Sequence, residues 1–175
     1  SSDKHPFFAE SRANRSNEKA DWYLWVDPRP DGTPPCNWLS VFGGPAFTWD
    51  ARRKQYYMHS FLPQQPDFNY RNPAVVDYME SVLRFWLDRG VDGFRFDTVN
   101  YFYKDALWRN DAADYKIKAE PDGNPYYMQY HLFSKGQPEN LGWMERIRRV
   151  MDRYDDRATV GEMGEAHHAI RMMGE

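Results

Sequence analysis

An α/β fold with its strands in a parallel sheet is what this sequence predicts, on three observations. Two short apolar runs, Val91 to Phe96 and Ala158 to Gly161, each close on a carboxylate, Asp97 and Glu162. Glu162 lies 65 residues after Asp97, too far for a hairpin and long enough for a strand, a crossover helix with an added loop, and a second strand. A segment with helical spacing of apolar residues precedes each run. Both acids then fall at the same end of a parallel sheet, where barrel and doubly wound enzymes keep their active sites.

From Ser1 to about residue 70, Asp27-Pro28, Pro34-Pro35, Gly43-Gly44-Pro45 and Gln65-Pro66 break the pattern. They leave room only for short strands such as Gln55 to His59, so this stretch reads as a loop-rich excursion. Asn72-Pro73 then opens a helix with a side-chain cap and a proline in the first turn. Val75, Val76, Met79, Val82, Leu83, Trp86 and Leu87 form its apolar stripe, and Gly90 ends it. The strand Val91 to Asp97 follows at once. A polar, proline-broken segment from about Tyr103 to Pro138 carries Tyr115, Tyr126, Tyr127 and Tyr130 and reads as a helix-and-loop decoration on the same face as the acids. Glu139 to Tyr154 returns to helical spacing with Leu141, Met144, Ile147, Val150 and Met151, and feeds the second strand at Ala158.

Composition excludes several classes. A net charge of −3 supplies no basic face, which speaks against nucleic acid or an anionic membrane as partner. No run approaches the roughly 18 apolar residues of a membrane span. The single cysteine, Cys36, excludes an internal disulfide and fits a reducing compartment, so a cytoplasmic setting is the expectation. Aromatic residues reach 17%, many in irregular sequence between Trp22 and Phe61. Flat rings there suit the apolar faces of sugars, and they equally staple loops to a core.

The chemistry starts from desolvation. A buried aspartate needs a positive partner to stay ionised, and Arg95, two residues away on the same strand face, is placed to provide one. An ordinary strand-end ion pair satisfies the same pattern. Val160-Gly161-Glu162 alone is equally a solvent-exposed strand end, and the weight comes from the two strand ends together. His167-His168 beside Glu165 reads as a solvated surface, because adjacent helical residues point in different directions.

With these motifs in view, the sequence resembles the alpha-amylase superfamily of glycoside hydrolases, in its oligosaccharide-cleaving alpha-glucosidase branch. Gly93-Phe94-Arg95-Phe96-Asp97 matches the motif of the fourth barrel strand, Val160-Gly161-Glu162 that of the fifth, and Gln65-Pro66-Asp67-Phe68-Asn69 the short signature closing the inserted domain. The resemblance implies part of a (β/α)8 TIM barrel. Residues 1–70 would be the subdomain inserted after the third strand and 71–175 the partial catalytic barrel. It also implies a piece of a larger enzyme, opening after the third-strand motif and stopping before the seventh, and inactive alone.

The resemblance assigns Asp97 as nucleophile and Glu162 as acid/base of a retaining hydrolysis of terminal alpha-linked glucose from short oligosaccharides such as maltose. By local environment, Asp97 beside Arg95 suits an anion, and Glu162, on a strand without a cation of its own, suits a proton carrier. Arg95, Thr98, Phe42 and Phe61 carry over as substrate-binding positions, with Thr98 leaning towards alpha-1,4 linkages. Asp67 and Asn69 read as turn and strand-entry hydrogen-bonders. Asn100-Tyr101 stands where many amylases have the lysine-histidine pair of a calcium site, so no metal or cofactor is expected. A transglucosylase with the same intermediate and a catalytically dead amylase-like module are the competing readings.

Overall fold

The computed structural model describes residues 1–115 and 123–164, which fall into two compact units. The first holds Ser1–Asn69 and Lys104–Ser134, and the second holds Tyr70–Tyr103 and the chain from Lys135 on. Residues 104–134, read above as a decoration of the sheet carrying the acids, therefore belong to the first unit.

That unit begins with helix α1, Pro6–Ala13, whose sequence signal is a cap and a first-turn proline: the His5 ring accepts from the Phe7 N–H at 3.1 Å. Strands β1 (Trp25–Val26), β2 (Phe47–Asp50) and β3 (Gln55–Met58) form an antiparallel sheet with β3 in the middle. Trp25 pairs with Tyr57 and Phe47 with Met58. Cys36, Trp38, Ala46, Phe47 and Met58 make its core. The Arg53 guanidinium, buried over the Trp25 ring, donates to the carbonyls of Ser11 and Asn14 and so ties α1 to the β2–β3 turn.

The later stretch docks onto this sheet through polar bonds. Trp38 Nε1 donates to the Arg109 carbonyl at 2.8 Å, and Asn37 and Asp111 exchange two bonds of 2.8 and 2.9 Å. Strand β5 (Ala112–Ala113) pairs antiparallel with β6 (Gln129–Tyr130), and a 3-10 turn spans Pro125–Met128. Lys104 is buried, with Nζ 3.2 Å from Asp67 Oδ2, an oxygen that also accepts from Ser60 Oγ at 2.6 Å.

The second unit is a two-layer piece of α/β structure. Helix α2, Pro73–Leu87, starts where expected: Asn72 Oδ1 accepts from the Ala74 N–H at 3.0 Å, and Gly90 takes the left-handed conformation (φ +88°) past its end. The Val91 N–H is used by that cap, donating to Trp86 O at 3.2 Å, so the strand starts later than the apolar run does. Strand β4 is Gly93–Phe96 and β7 is Ala158–Gly161, parallel and in register Gly93 to Ala158 and Phe96 to Gly161. Gly93 is required by close approach: a Cβ there would stand 1.9 Å from Ala158 O.

Phe94 and Phe96 pack against Val76, Leu83 and Leu87 of α2 and against Trp143, Ile147, Val150 and Met151 of α3, Glu139–Met151. Alternation then sends Arg95 to the opposite face of β4. Two stripe assignments need correction: Trp86 and Leu141 are exposed, while Asn140 and Trp143 occupy the buried face of α3. Periodicity names a face only to within one residue's rotation, and the helix turned to bury the larger indole of Trp143. Among the described residues no helix is long and apolar enough to cross a membrane.

Candidate active site

Asp97 and Glu162 stand side by side at the carboxyl ends of β4 and β7 because the parallel ladder runs one step past the strands. The Glu162 N–H donates to Phe96 O at 2.8 Å, and the Val99 N–H donates to Glu162 O at 3.1 Å. Arg95, one alternation before Asp97, lies across both acids. Its Nη2 is 3.2 Å from Asp97 Oδ1 and 2.8 Å from Glu162 Oε2. Two oxygens at those distances from one nitrogen are no farther apart than the two lengths together, about 6 Å.

The side chains of Asp97, Glu162 and Arg95 are 70%, 50% and 61% exposed in the described residues. One expectation changes here. Glu162 has a cation: Arg95 reaches it across the ladder and lies closer to it than to Asp97. Reading β7 by itself missed this because the register that brings Arg95 opposite Val160 is a property of two strands.

Thr98, directly after Asp97, holds a left-handed backbone at φ +45°, costly for a β-branched residue, by about 1–3 kcal/mol. It makes the sharp exit from β4 into a 3-10 turn, Val99–Tyr101, closed by the Tyr101 N–H donating to Thr98 O at 2.9 Å. Asn100 is buried in that turn, and its carbonyl accepts from Gly136 N at 2.7 Å and from Asn140 Nδ2 at 3.2 Å.

Phe42 and Phe61 belong to the first unit, where their rings pair at 5.7 Å. Phe42 is 63% exposed on a turn held by Gly43 and Gly44 at positive φ, and Ser40 Oγ bonds Phe61 O at 2.6 Å. Asp67 and Asn69 anchor the strand-like segment that bridges Tyr23 to Phe68: Asp67 N donates to Met58 O at 3.0 Å and Asn69 N to Trp22 O at 2.8 Å. Lys104, the buried partner of Asp67, gave no sequence signal beyond a lysine in an aromatic run. Glu165, His167 and His168 lie outside the described residues. No group of three or more His, Cys, Asp or Glu able to hold a metal ion occurs among the described residues.

Residues 1–173 match the family described as alpha amylase, catalytic domain. The chain is 50% identical to a "Probable alpha-glucosidase" of Rhizobium meliloti over 99% of its own length and 32% of the relative's. It is 40% identical to an oligo-1,6-glucosidase of Heyndrickxia coagulans, covering 92% of this chain and 27% of that one. Among solved structures, an alpha-glucosyl transfer enzyme superposes with a TM-score of 0.90 at 49% identity, over 94% of this chain and 32% of that one. The chain thus spans about a third of the length of the relatives it matches.

Proposed function

Because the chain belongs to the alpha-amylase catalytic-domain family, whose fold is a TIM barrel, we propose that it carries the nucleophile and the acid/base of a retaining alpha-glucosidase. In this reading β4 and β7 are the fourth and fifth staves of the barrel, and residues 1–70 are the subdomain inserted after the third. The observation that carries it is the single guanidinium between Asp97 and Glu162, which keeps two carboxylate oxygens within about 6 Å. Retaining enzymes separate their carboxyl groups by about 5–5.5 Å, and inverting ones need about 6.5–9.5 Å to seat a water.

The reaction is a double displacement. An Asp97 carboxylate oxygen attacks the anomeric carbon of a terminal alpha-linked glucose while the glycosidic bond breaks and its oxygen takes the proton of Glu162. Glu162, now a carboxylate, removes a proton from an incoming water, whose oxygen displaces Asp97 and restores both acids. Arg95, 3.2 Å from Asp97 and 2.8 Å from Glu162, is placed to donate to whichever of the two is the carboxylate at each stage. Short oligosaccharides such as maltose are the substrates, and Thr98 leans the linkage to alpha-1,4. The Phe42 and Phe61 rings, paired in the first unit at 5.7 Å, suit the apolar face of a sugar.

The relative named for alpha-glucosyl transfer supports a second reading, in which a sugar or alcohol hydroxyl replaces water in the second step. The test is to trap the intermediate in the full-length gene product with a slow fluorosugar and map the ester: label on Asp97 supports the assignment and label on any other residue refutes it. Product analysis at high donor concentration separates hydrolysis from transfer.

A further inference from the structure

We propose that Asn140 is a positioning residue for the two acids, acting through the turn that leaves Asp97; the inference rests on the reading of the preceding subsection. Asn140 is fully buried on a face of α3 that also carries Trp143 and Ile147. A carboxamide there is tolerated only if both its halves are bonded, and both are. Its Oδ1 accepts from the Tyr103 N–H at 3.1 Å, and its Nδ2 donates to the Asn100 carbonyl at 3.2 Å.

These partners, Asn100 in the middle of the 3-10 turn and Tyr103 just beyond it, both lie in the segment that follows Asp97. Next to the clamp, Val99 is buried, donates its N–H to Glu162 O at 3.1 Å, and places its Cγ1 3.4 Å from where a Cβ on Gly161 would stand. The turn is thus held by Asn140 of α3 and the Gly136 N–H on one side and by the main chain of Glu162 on the other. Any shift of Asn100 carries Val99 with it, and Val99 is bonded to one acid and two residues from the other. Thr98 makes the clamp necessary: a β-branched residue at φ +45° persists only where its flanks are fixed. Asn140 makes no hydrogen bond to either acid, so its effect runs through backbone position.

The test uses Asn140→Ala, Asn140→Leu and Asn140→Asp in the full-length gene product, with active sites counted by fluorosugar labelling. We expect kcat per labelled site to fall about tenfold to a hundredfold in the Ala and Leu variants, with KM moving less than about threefold. Asn140→Asp keeps an acceptor for Tyr103 N–H and recovers part of the loss. Hydrogen exchange at the Val99 amide accelerates by about tenfold or more. A merely structural role would lower the number of labelled sites and leave kcat per site unchanged. The inference is overturned if kcat per site stays within about twofold of wild type in both the Ala and the Leu variant, or if Val99 exchange is unaltered. If the Ala and Leu variants do not fold, Asn140→Asp decides by the same two readouts. If the wild-type product turns over no alpha-glucoside, or Asp97→Asn leaves turnover intact, the reading of the site falls. Val99 exchange then decides the clamp alone.

Discussion

Gly93 lies so close to Ala158 that a methyl group on its Cα would stand 1.9 Å from the Ala158 carbonyl oxygen. The obstacle is backbone, which cannot rotate away. Gly93→Ala should therefore push β4 from β7 and destabilise the fold by about 1–3 kcal/mol or more, read as a lowered urea midpoint. Gly161→Ala, whose new methyl would meet only a Val99 side chain at 3.4 Å, should cost less than half of that.

On the proposed assignment of Glu162 as proton donor, Glu162→Gln in the full-length gene product should lower kcat/KM on maltose about 10²- to 10⁴-fold. The loss in kcat/KM, which reports the first displacement, should be smallest on aryl glucosides, whose leaving groups depart without protonation. An equal loss on both substrate types would count against Glu162 as the acid.

The Lys104–Asp67 pair is buried on the lysine side, and burial pushes the Lys104 ammonium below its ordinary range while Asp67 opposes that shift. Asp67→Asn removes the negative charge 3.2 Å from the buried ammonium and should destabilise the fold by about 1–3 kcal/mol. Lys104→Met with Asp67→Leu should recover much of this, measured by chemical denaturation as a double-mutant cycle.

His59 is buried between Thr48 Oγ1 at 3.0 Å and the Phe61 carbonyl at 2.8 Å. Burial lowers its pKa below 6.5, against weaker upward pulls from the Phe61 carbonyl and Asp67. The unfolded chain thus binds this proton more readily than the folded one, so stability rises with pH up to about 6.5 and is lost as pH falls below it. The slope from this one group is at most about 1.4 kcal/mol per pH unit. His59→Gln should remove that component from stability measured between pH 5 and 7.

Burial in the core of the first unit pushes the Cys36 thiol up to about 12, with the Trp38 backbone pulling weakly the other way. Native protein should react with iodoacetamide at pH 8 far more slowly than urea-unfolded protein, because the thiolate is the nucleophile. Equal rates would contradict the buried placement.

Local signals were legible where one segment determines them. Asn72-Pro73 and Gly90 bound α2, and the acids after Phe96 and Gly161 stand at strand ends. What needed two segments was not legible. The cation on Glu162 comes from a neighbouring strand, the buried amide of Asn140 serves a loop 37 residues earlier, and Trp38 of the first stretch donates to the carbonyl of Arg109, 71 residues later. Each is a matter of register or closure, and hydrophobic spacing carries no information about either.

The first unit is made of two stretches separated by the whole of α2 and β4. A ribosome emitting this chain delivers Asp67 well before Lys104, and Trp38 well before the Arg109 carbonyl that receives its indole proton. At about 5–20 residues per second the wait is several seconds, during which the early sheet is exposed without its closing segment. Folding of this protein during synthesis is thus obliged to run out of numerical order, and a pause in translation near residue 70 would lengthen the interval in which a chaperone has something to hold.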